Sequence, residues 1–232
     1  MRIIRICYFG DSITYGFGDG SESRDITKRW TSIIDDGLKK YKKQDILFNN
    51  INLGVNGDTT RNGLERLKDI YVFNPDIITI QFGMNDCNYW LSDNGFPRVN
   101  PMSFEYNLLE LIEKCYTSGI KEIILSTNHL IPIRKLMLNN KDYNENNRYY
   151  NSIIRKVAKK TNTILCDIEA LFDKASKDKS FFLNENGKRL HLSQKGNELY
   201  AEKMLPFIEK TIKNSIRLKK SNILKLNLTP YK

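Results

Sequence analysis

Short apolar, β-branched runs alternate along this chain with longer stretches in which apolar residues recur every three or four positions. Runs of the first kind stand at about 3–9, 46–53, 76–82, 121–127 and 163–168. They are too short for helices and rich in isoleucine, so they predict five strands. Ile77-Ile78-Thr79-Ile80 and Glu122-Ile123-Ile124-Leu125 hold nearly unbroken apolarity. A strand reads this way when both of its faces are covered, as in the middle of a parallel sheet.

Helical spacing fills the intervals near 28–43, 59–72, 103–118 and 143–161, with a last helix near 193–214 and Gly119 as a stop after the third. Strands and helices in alternation predict an α/β fold, with a five-stranded parallel sheet covered by helices on both faces. Neither an internal repeat nor a low-complexity linker marks a boundary, so residues 1–216 are expected to form a single domain and 217–232 a basic C-terminal tail. The stretch from Asn88 to Pro101, with Asp93-Asn94-Gly95 and Pro97, carries turn chemistry just past a strand and is a candidate rim or lid.

Composition agrees with a packed core: 40% of the 232 residues are hydrophobic and 28% charged. The first strand begins almost at Met1 and leaves no room for an export signal, and no run of about 18 apolar residues would cross a membrane. A cytoplasmic location is therefore expected, with Cys7, Cys87, Cys115 and Cys166 as reduced thiols. The net charge of +10 is concentrated at one end, because seven lysines and arginines follow Glu209, the last acidic residue. That distribution reads as a solvated helix end rather than a nucleic-acid surface, with weak association of the tail with a membrane surface left open.

In open α/β sheets ligands bind beyond the carboxyl ends of the strands. There the chain places Gly10-Asp11-Ser12 after strand one, Asn56-Gly57-Asp58-Thr59-Thr60 after strand two and Gly83-Met84-Asn85-Asp86 after strand three. A late histidine, in His191-Leu192-Ser193-Gln194-Lys195-Gly196-Asn197, is expected to reach the same rim. A serine hydroxyl needs a base within hydrogen-bond reach to act as a nucleophile, and an imidazole is suited to that task. Attack on an ester carbonyl creates an oxyanion, which backbone N–H groups and a side-chain amide such as that of Asn85 stabilise. Asp11 and Asp86 are expected to orient the loops, Asp58-Thr59-Thr60 to cap the second helix, and His129 either to line the pocket or to stabilise a turn. Trp90, Tyr89 and Phe96 are candidates for shaping the substrate pocket.

Together these residues resemble the SGNH (GDSL-type) hydrolases over about residues 3 to 210. The resemblance implies a flavodoxin-like three-layer α/β/α sandwich and a serine ester hydrolase without cofactor or metal. It makes Ser12 the nucleophile and His191 the general base, with the backbone N–H groups of Ser12 and Gly57 and the Asn85 side chain as oxyanion donors. Gly57 matches the family position better than Gly54. One departure stands out, because the family carries an aspartate three residues before the histidine and this chain has Lys188. The orienting role is then open to Glu185, Asn186 or a backbone carbonyl. Loss of the acid makes a weakened enzyme, or a binding module for an acylated sugar or lipid, the alternative to a working esterase. The substrate class expected is a small-molecule ester, with a lean to short acyl groups such as O-acetylated carbohydrate.

Other chemistries find little support. The two histidines form no HExxH cluster, and neither GxxxxGK[ST] nor the G-x-S-x-G elbow occurs.

Overall fold

Five strands, β1 (Arg2–Gly10), β2 (Ile46–Gly54), β3 (Ile77–Gln81), β4 (Glu122–Ser126) and β5 (Ile164–Cys166), pair in parallel in the order β2-β1-β3-β4-β5. The structure is a computed structural model that describes residues 2–16, 25–120, 122–184 and 187–226, apart from the side chains of 43–44 and 215–226. The helices are α1 (Ser12–Tyr15), α2 (Trp30–Leu38), α3 (Thr60–Glu65), α4 (Leu67–Phe73), α5 (Pro101–Thr117), α6 (Tyr143–Thr161), α7 (Ile168–Leu171) and α8 (Gln194–Leu226). α2 packs with α8, while α5 packs with α3 and α6. The result is the expected three-layer α/β/α sandwich.

Burial explains the strand pattern. Every residue of β3 is buried, as its apolar run requires. Successive residues of β1 point to opposite layers: Tyr8 meets Trp30 edge-on at 5.3 Å, and Phe9 meets Phe82 at the same separation. Trp30 also lies 4.8 Å from Tyr200 of α8, so one fully buried aromatic cluster joins β1, α2 and α8. Burying each such ring is worth about 1.5–3 kcal/mol. On the other face a Cβ on Gly63 would stand 2.9 Å from the Phe82 ring, so glycine there lets α3 close on the sheet.

Three helices differ from their predicted lengths. The segment expected at 28–43 is α-helical only to Leu38 and tightens into a 3₁₀ turn over Lys39–Gln44, which closes at Asp45 in the left-handed region at φ 56°. The segment expected at 59–72 divides at Arg66, whose backbone leaves helical geometry at φ −111°. Its guanidinium there bonds Asp58 and the Gly10 carbonyl. The last helix continues to Leu226, well past the predicted end at 214. Residues 227–232, the end of the expected tail, lie outside the described residues.

The strand order reverses between β1 and β3, and a crevice opens at the carboxyl ends of strands on either side of such a reversal. Ser12 follows β1 directly.

Candidate functional site

The serine is presented by a short, tightly specified turn. Asp11 caps α1 by accepting the Ile13 N–H at 2.8 Å, and Gly16 closes the turn in the left-handed region at φ 77°. Capping at Ile13 leaves the Ser12 N–H, one of the first-turn donors that have no intrahelical acceptor, for another partner. Gly10 and Gly54 make room for this turn: a Cβ would lie 2.4 Å from the Gln81 carbonyl at the first and 2.1 Å from the Tyr15 nitrogen at the second. Gly54 thus has a packing role beneath the serine.

The loop after β2 brings Gly57 to the rim with φ 82° and open space where a Cβ would stand. Glycine is favoured there by its backbone conformation and not by crowding. Arg98 bonds the Gly57 carbonyl at 3.1 Å, which orients that peptide. Thr59, rather than Asp58, caps α3, sharing the Asn62 side-chain oxygen through both its N–H and its hydroxyl. Asp58 instead pairs with Arg66 at 2.6 Å. Asn85 follows β3 with its side chain buried, giving one amide hydrogen to the Asp58 carbonyl at 2.9 Å. A primary amide has two such hydrogens, so the second remains for the cavity that Asn85 lines.

His191 arrives from the far end of the sequence. Its Nε2 lies 2.9 Å from the Ser12 hydroxyl oxygen, across 179 positions of chain. The loop carrying it is held at several points. Leu183 N–H bonds the His191 carbonyl at 2.9 Å, Ser193 N–H bonds the Phe181 carbonyl at 3.0 Å, and Asn197 donates to the Leu192 and Ser193 carbonyls. His129 adds a fourth tie, since its Nε2 lies 3.0 Å from the Leu190 carbonyl. A carbonyl oxygen only accepts, so this nitrogen bears the proton. The ring is fully buried near Phe172 and Phe182, and burial lowers its pKa to about 4, keeping it neutral. Of the two roles open to His129, the structure shows the second: it fixes the turn preceding His191.

Serine and histidine halves are tied together by Trp30. Its indole N–H donates to the Ile13 carbonyl at 2.7 Å, and its backbone N–H donates to the Asn197 side chain at 3.1 Å. One buried residue therefore spans from the serine turn to the first turn of α8.

Behind the serine runs a buried polar chain. Gln81 donates to Asp11 at 3.1 Å and to Asn128 at 2.8 Å, and accepts from Thr14 at 2.9 Å. Asn128 accepts through its carbonyl from Asn151 at 2.9 Å, and Asn151 also reaches Glu169, which pairs with Arg155. Burial raises the Asp11 carboxyl to about 7. Asp86 is raised to about 6, again mainly by burial, and accepts the Thr60 N–H at 2.9 Å, tying the β2 loop to the β3 loop. Both aspartates act on loop backbone, as anticipated. Trp30, Gln81 and Asn128 were not singled out from sequence. A polar residue ending the run Ile77-Ile78-Thr79-Ile80-Gln81 was the available signal, because a strand buried on both faces has little reason to carry an amide without a partner.

The remaining candidates fall as follows. Glu185 and Asn186 lie outside the described residues, whereas Lys188 lines the cavity beside His191. That cavity encloses about 490 Å³, and Ser12, Gly57, Asn85 and His191 all contribute to its wall. Trp90 lines it with Arg98 stacked 3.8 Å over the ring; Tyr89 packs partly against the core and Phe96 is exposed. All four cysteines are buried, and burial raises their thiols well above the usual range. Among the described residues no group of three or more His, Cys, Asp or Glu side chains could hold a metal ion, and no helix is long and apolar enough to cross a membrane.

Comparison with known proteins places these features in context. The model of the GDSL-like lipase/acylhydrolase family matches residues 8–199. An arylesterase of Vibrio mimicus is 31% identical over 122 residues, covering 52% of this chain and 53% of that protein. The chain's match thus spans about half the length of the curated relatives. Among solved structures, a lipase/acylhydrolase from Enterococcus faecalis superimposes with a TM-score of 0.68 at 25% identity, covering 89% of this chain and 96% of that one. A catalytic mutant of an acetylxylan esterase from Geobacillus stearothermophilus gives a TM-score of 0.72 at 20% identity, covering 88% and 94%.

Proposed function

The chain belongs to the GDSL-like lipase/acylhydrolase family, and from that premise we propose that it is a serine-dependent carboxylic ester hydrolase working through an acyl-enzyme on a small, short-acyl ester. The observation that carries the proposal is the 2.9 Å approach of Ser12 Oγ and His191 Nε2 at the wall of a cavity also lined by Gly57 and Asn85. In the first step Ser12 Oγ bonds to the ester carbonyl carbon while its proton passes to His191 Nε2. The oxyanion is met by the N–H groups of Ser12 and Gly57 and the second amide hydrogen of Asn85. His191 then gives its proton to the departing alcohol. Water enters, loses a proton to His191 and releases the acid from Ser12.

Several features support a short acyl group. Asn56, Asn85 and Asn88 line the cavity, while Trp90 and Leu190 are its main apolar contributors, and a long alkyl chain would need a longer apolar channel. An O-acetylated carbohydrate or another small ester suits such a wall. A second reading, a binding module for an acylated sugar or lipid with weakened catalysis, is favoured by Lys188, which stands where the family's aspartate is expected. Residues 1–216 are taken as the catalytic domain and 217–232 as a basic tail; no cofactor is invoked, and the location proposed is cytoplasmic, although one curated relative, from Bacillus subtilis, is named a lipoprotein.

The test is hydrolysis of p-nitrophenyl esters from acetyl to decanoyl by the wild type beside Ser12→Ala and His191→Ala. Turnover falling with chain length and abolished by both substitutions is expected. Wild-type rates no higher than those of Ser12→Ala on every ester, and on acetylated sugars, would turn the assignment to the binding module.

A further inference from the structure

The wall of the catalytic cavity carries two cationic side chains. Lys135 and Lys188 both line it, and among the described residues no aspartate or glutamate does. Neither ammonium is paired with a carboxylate among the described residues, whereas the arginines nearby, Arg66 and Arg98, pair with Asp58 and Asp93. Asp11 and Asp86 are fully buried; Ile13 and Gln81 engage the oxygens of Asp11, and Thr60 engages one oxygen of Asp86.

Lys135 is not a wandering surface side chain. A closed turn fixes its backbone: its N–H donates to Asp142 at 2.9 Å and its carbonyl accepts from Tyr143 at 2.8 Å. Its ammonium sits 5.2 Å from the centre of the Tyr143 ring and is partly buried. Burial and the proximity of Lys188 lower its pKa, and both cations line the one cavity. Holding a partly desolvated ammonium next to a like charge is unfavourable unless an anion joins them. Lys188 shares its loop with His191, which faces the leaving alcohol in the mechanism proposed above, and this favours the alcohol side for its charge.

We propose that Lys135 and Lys188 form a subsite for a negative charge on the alcohol portion of the substrate, so that the preferred substrate is a short-acyl ester of an anionic alcohol, carrying a carboxylate or phosphate. The proposal rests on the esterase reading above and narrows it. Electrostatic recognition of this kind strengthens as the cations are desolvated, and a charge-assisted hydrogen bond to one of them corresponds to roughly tenfold or more in affinity.

The experiment compares kcat/KM for 3-acetoxybenzoate with that for its methyl ester, methyl 3-acetoxybenzoate, which has the same acyl group and a neutral alcohol. Phenyl hemisuccinate, with the charge on the acyl side, is the third substrate. Wild type is expected to prefer 3-acetoxybenzoate over its methyl ester by at least about tenfold at low ionic strength. The ratio should fall several-fold in Lys135→Met and in Lys188→Met, and approach one in the double variant. Acetylated glucuronic acid and an acetylated sugar phosphate then distinguish carboxylate from phosphate as the natural anion. Equal, Ser12-dependent rates on both benzoates would overturn the subsite and leave the esterase standing. A preference for phenyl hemisuccinate alone would overturn its assignment to the alcohol. Absence of hydrolysis of all three, with Ser12→Ala indistinguishable from wild type, would overturn the esterase and the subsite together.

Discussion

Replacing His129 by phenylalanine tests whether the loop carrying His191 is secured from beneath. The substituted ring would keep company with Phe172 and Phe182 but lose the 3.0 Å hydrogen bond to the Leu190 carbonyl. A carbonyl left unpaired costs up to about 1–3 kcal/mol, and this one is part-buried, so the variant should be less stable by about 1 kcal/mol or more at pH 8, with kcat falling as His191 loses its register. A second signature lies in pH. Burial lowers the pKa of His129 from 6.5 to about 4, so between these values the unfolded chain binds the extra proton. The neutral histidine is therefore compatible with full stability above pH 6.5, and stability drains away on acidification. At pH 5 the deficit is about 2 kcal/mol, rising to about 3 kcal/mol below pH 4. Asp11 and Asp86 act with opposite sign, because their folded pKa values of about 7 and about 6 lie above 3.8 and favour the folded state on acidification. Both proteins retain these acids, so their effect cancels in the difference. Urea unfolding of wild type and His129→Phe at pH 8 and pH 5 should show the stability gap between them shrinking by about 2 kcal/mol at the lower pH. A gap of unchanged size would refute the reasoning.

Three further outcomes follow from the site. Trp30→Phe removes the N–H that reaches the Ile13 carbonyl, and should cost about 1–3 kcal/mol in stability while lowering kcat more than it raises KM, as measured by thermal unfolding and steady-state kinetics. Asn85→Ala should reduce kcat on p-nitrophenyl acetate by about 10²–10³, the loss expected for one oxyanion donor; a reduction under threefold would remove Asn85 from that role. The four cysteines, all buried with raised pKa, should resist iodoacetamide in the native protein and become alkylated only in denaturant, as counted by mass spectrometry.

Periodicity located all five strands to within about two residues at each end, most sharply β3 and β4, whose buried faces leave isoleucine-rich runs. It also located α6, whose capping Asp142 and terminating Asn162 stand at either end of an amphipathic pattern. What it did not supply was the order of the strands, since a parallel pairing leaves no local mark in the chain. The helix break at Arg66 was also missed, because it depends on a distant carbonyl at Gly10, and nothing in the local pattern marks the change at Lys39. For the site, the strand-end motifs brought Ser12, Gly57 and Asn85 to one wall with His191. The supports remained hidden. Trp30 reads as one more apolar position in a helix, yet its two N–H groups bridge the halves of the site, and only the folded arrangement assigns them. His129 was visible as a histidine after a strand, but its carbonyl partner lies 61 positions away.

The pairing of Ser12 with His191 has a consequence for the order in which the molecule becomes functional. Its members come from near opposite ends of the described chain, separated by 179 positions, and closing so long a loop carries an entropic cost that the docked α8 and the ties on the His191 loop offset together. A nascent chain emerging from the ribosome would present the serine turn, the oxyanion loops and most of the sheet before the base had been synthesised. On the proposed mechanism every partly assembled form lacking a seated α8 is silent toward esters, so turnover should report completion of the fold. Trp30, at the seam where α8 docks, supplies a fluorescent witness to the same event, and refolding followed by emission and by activity should converge on a single final phase.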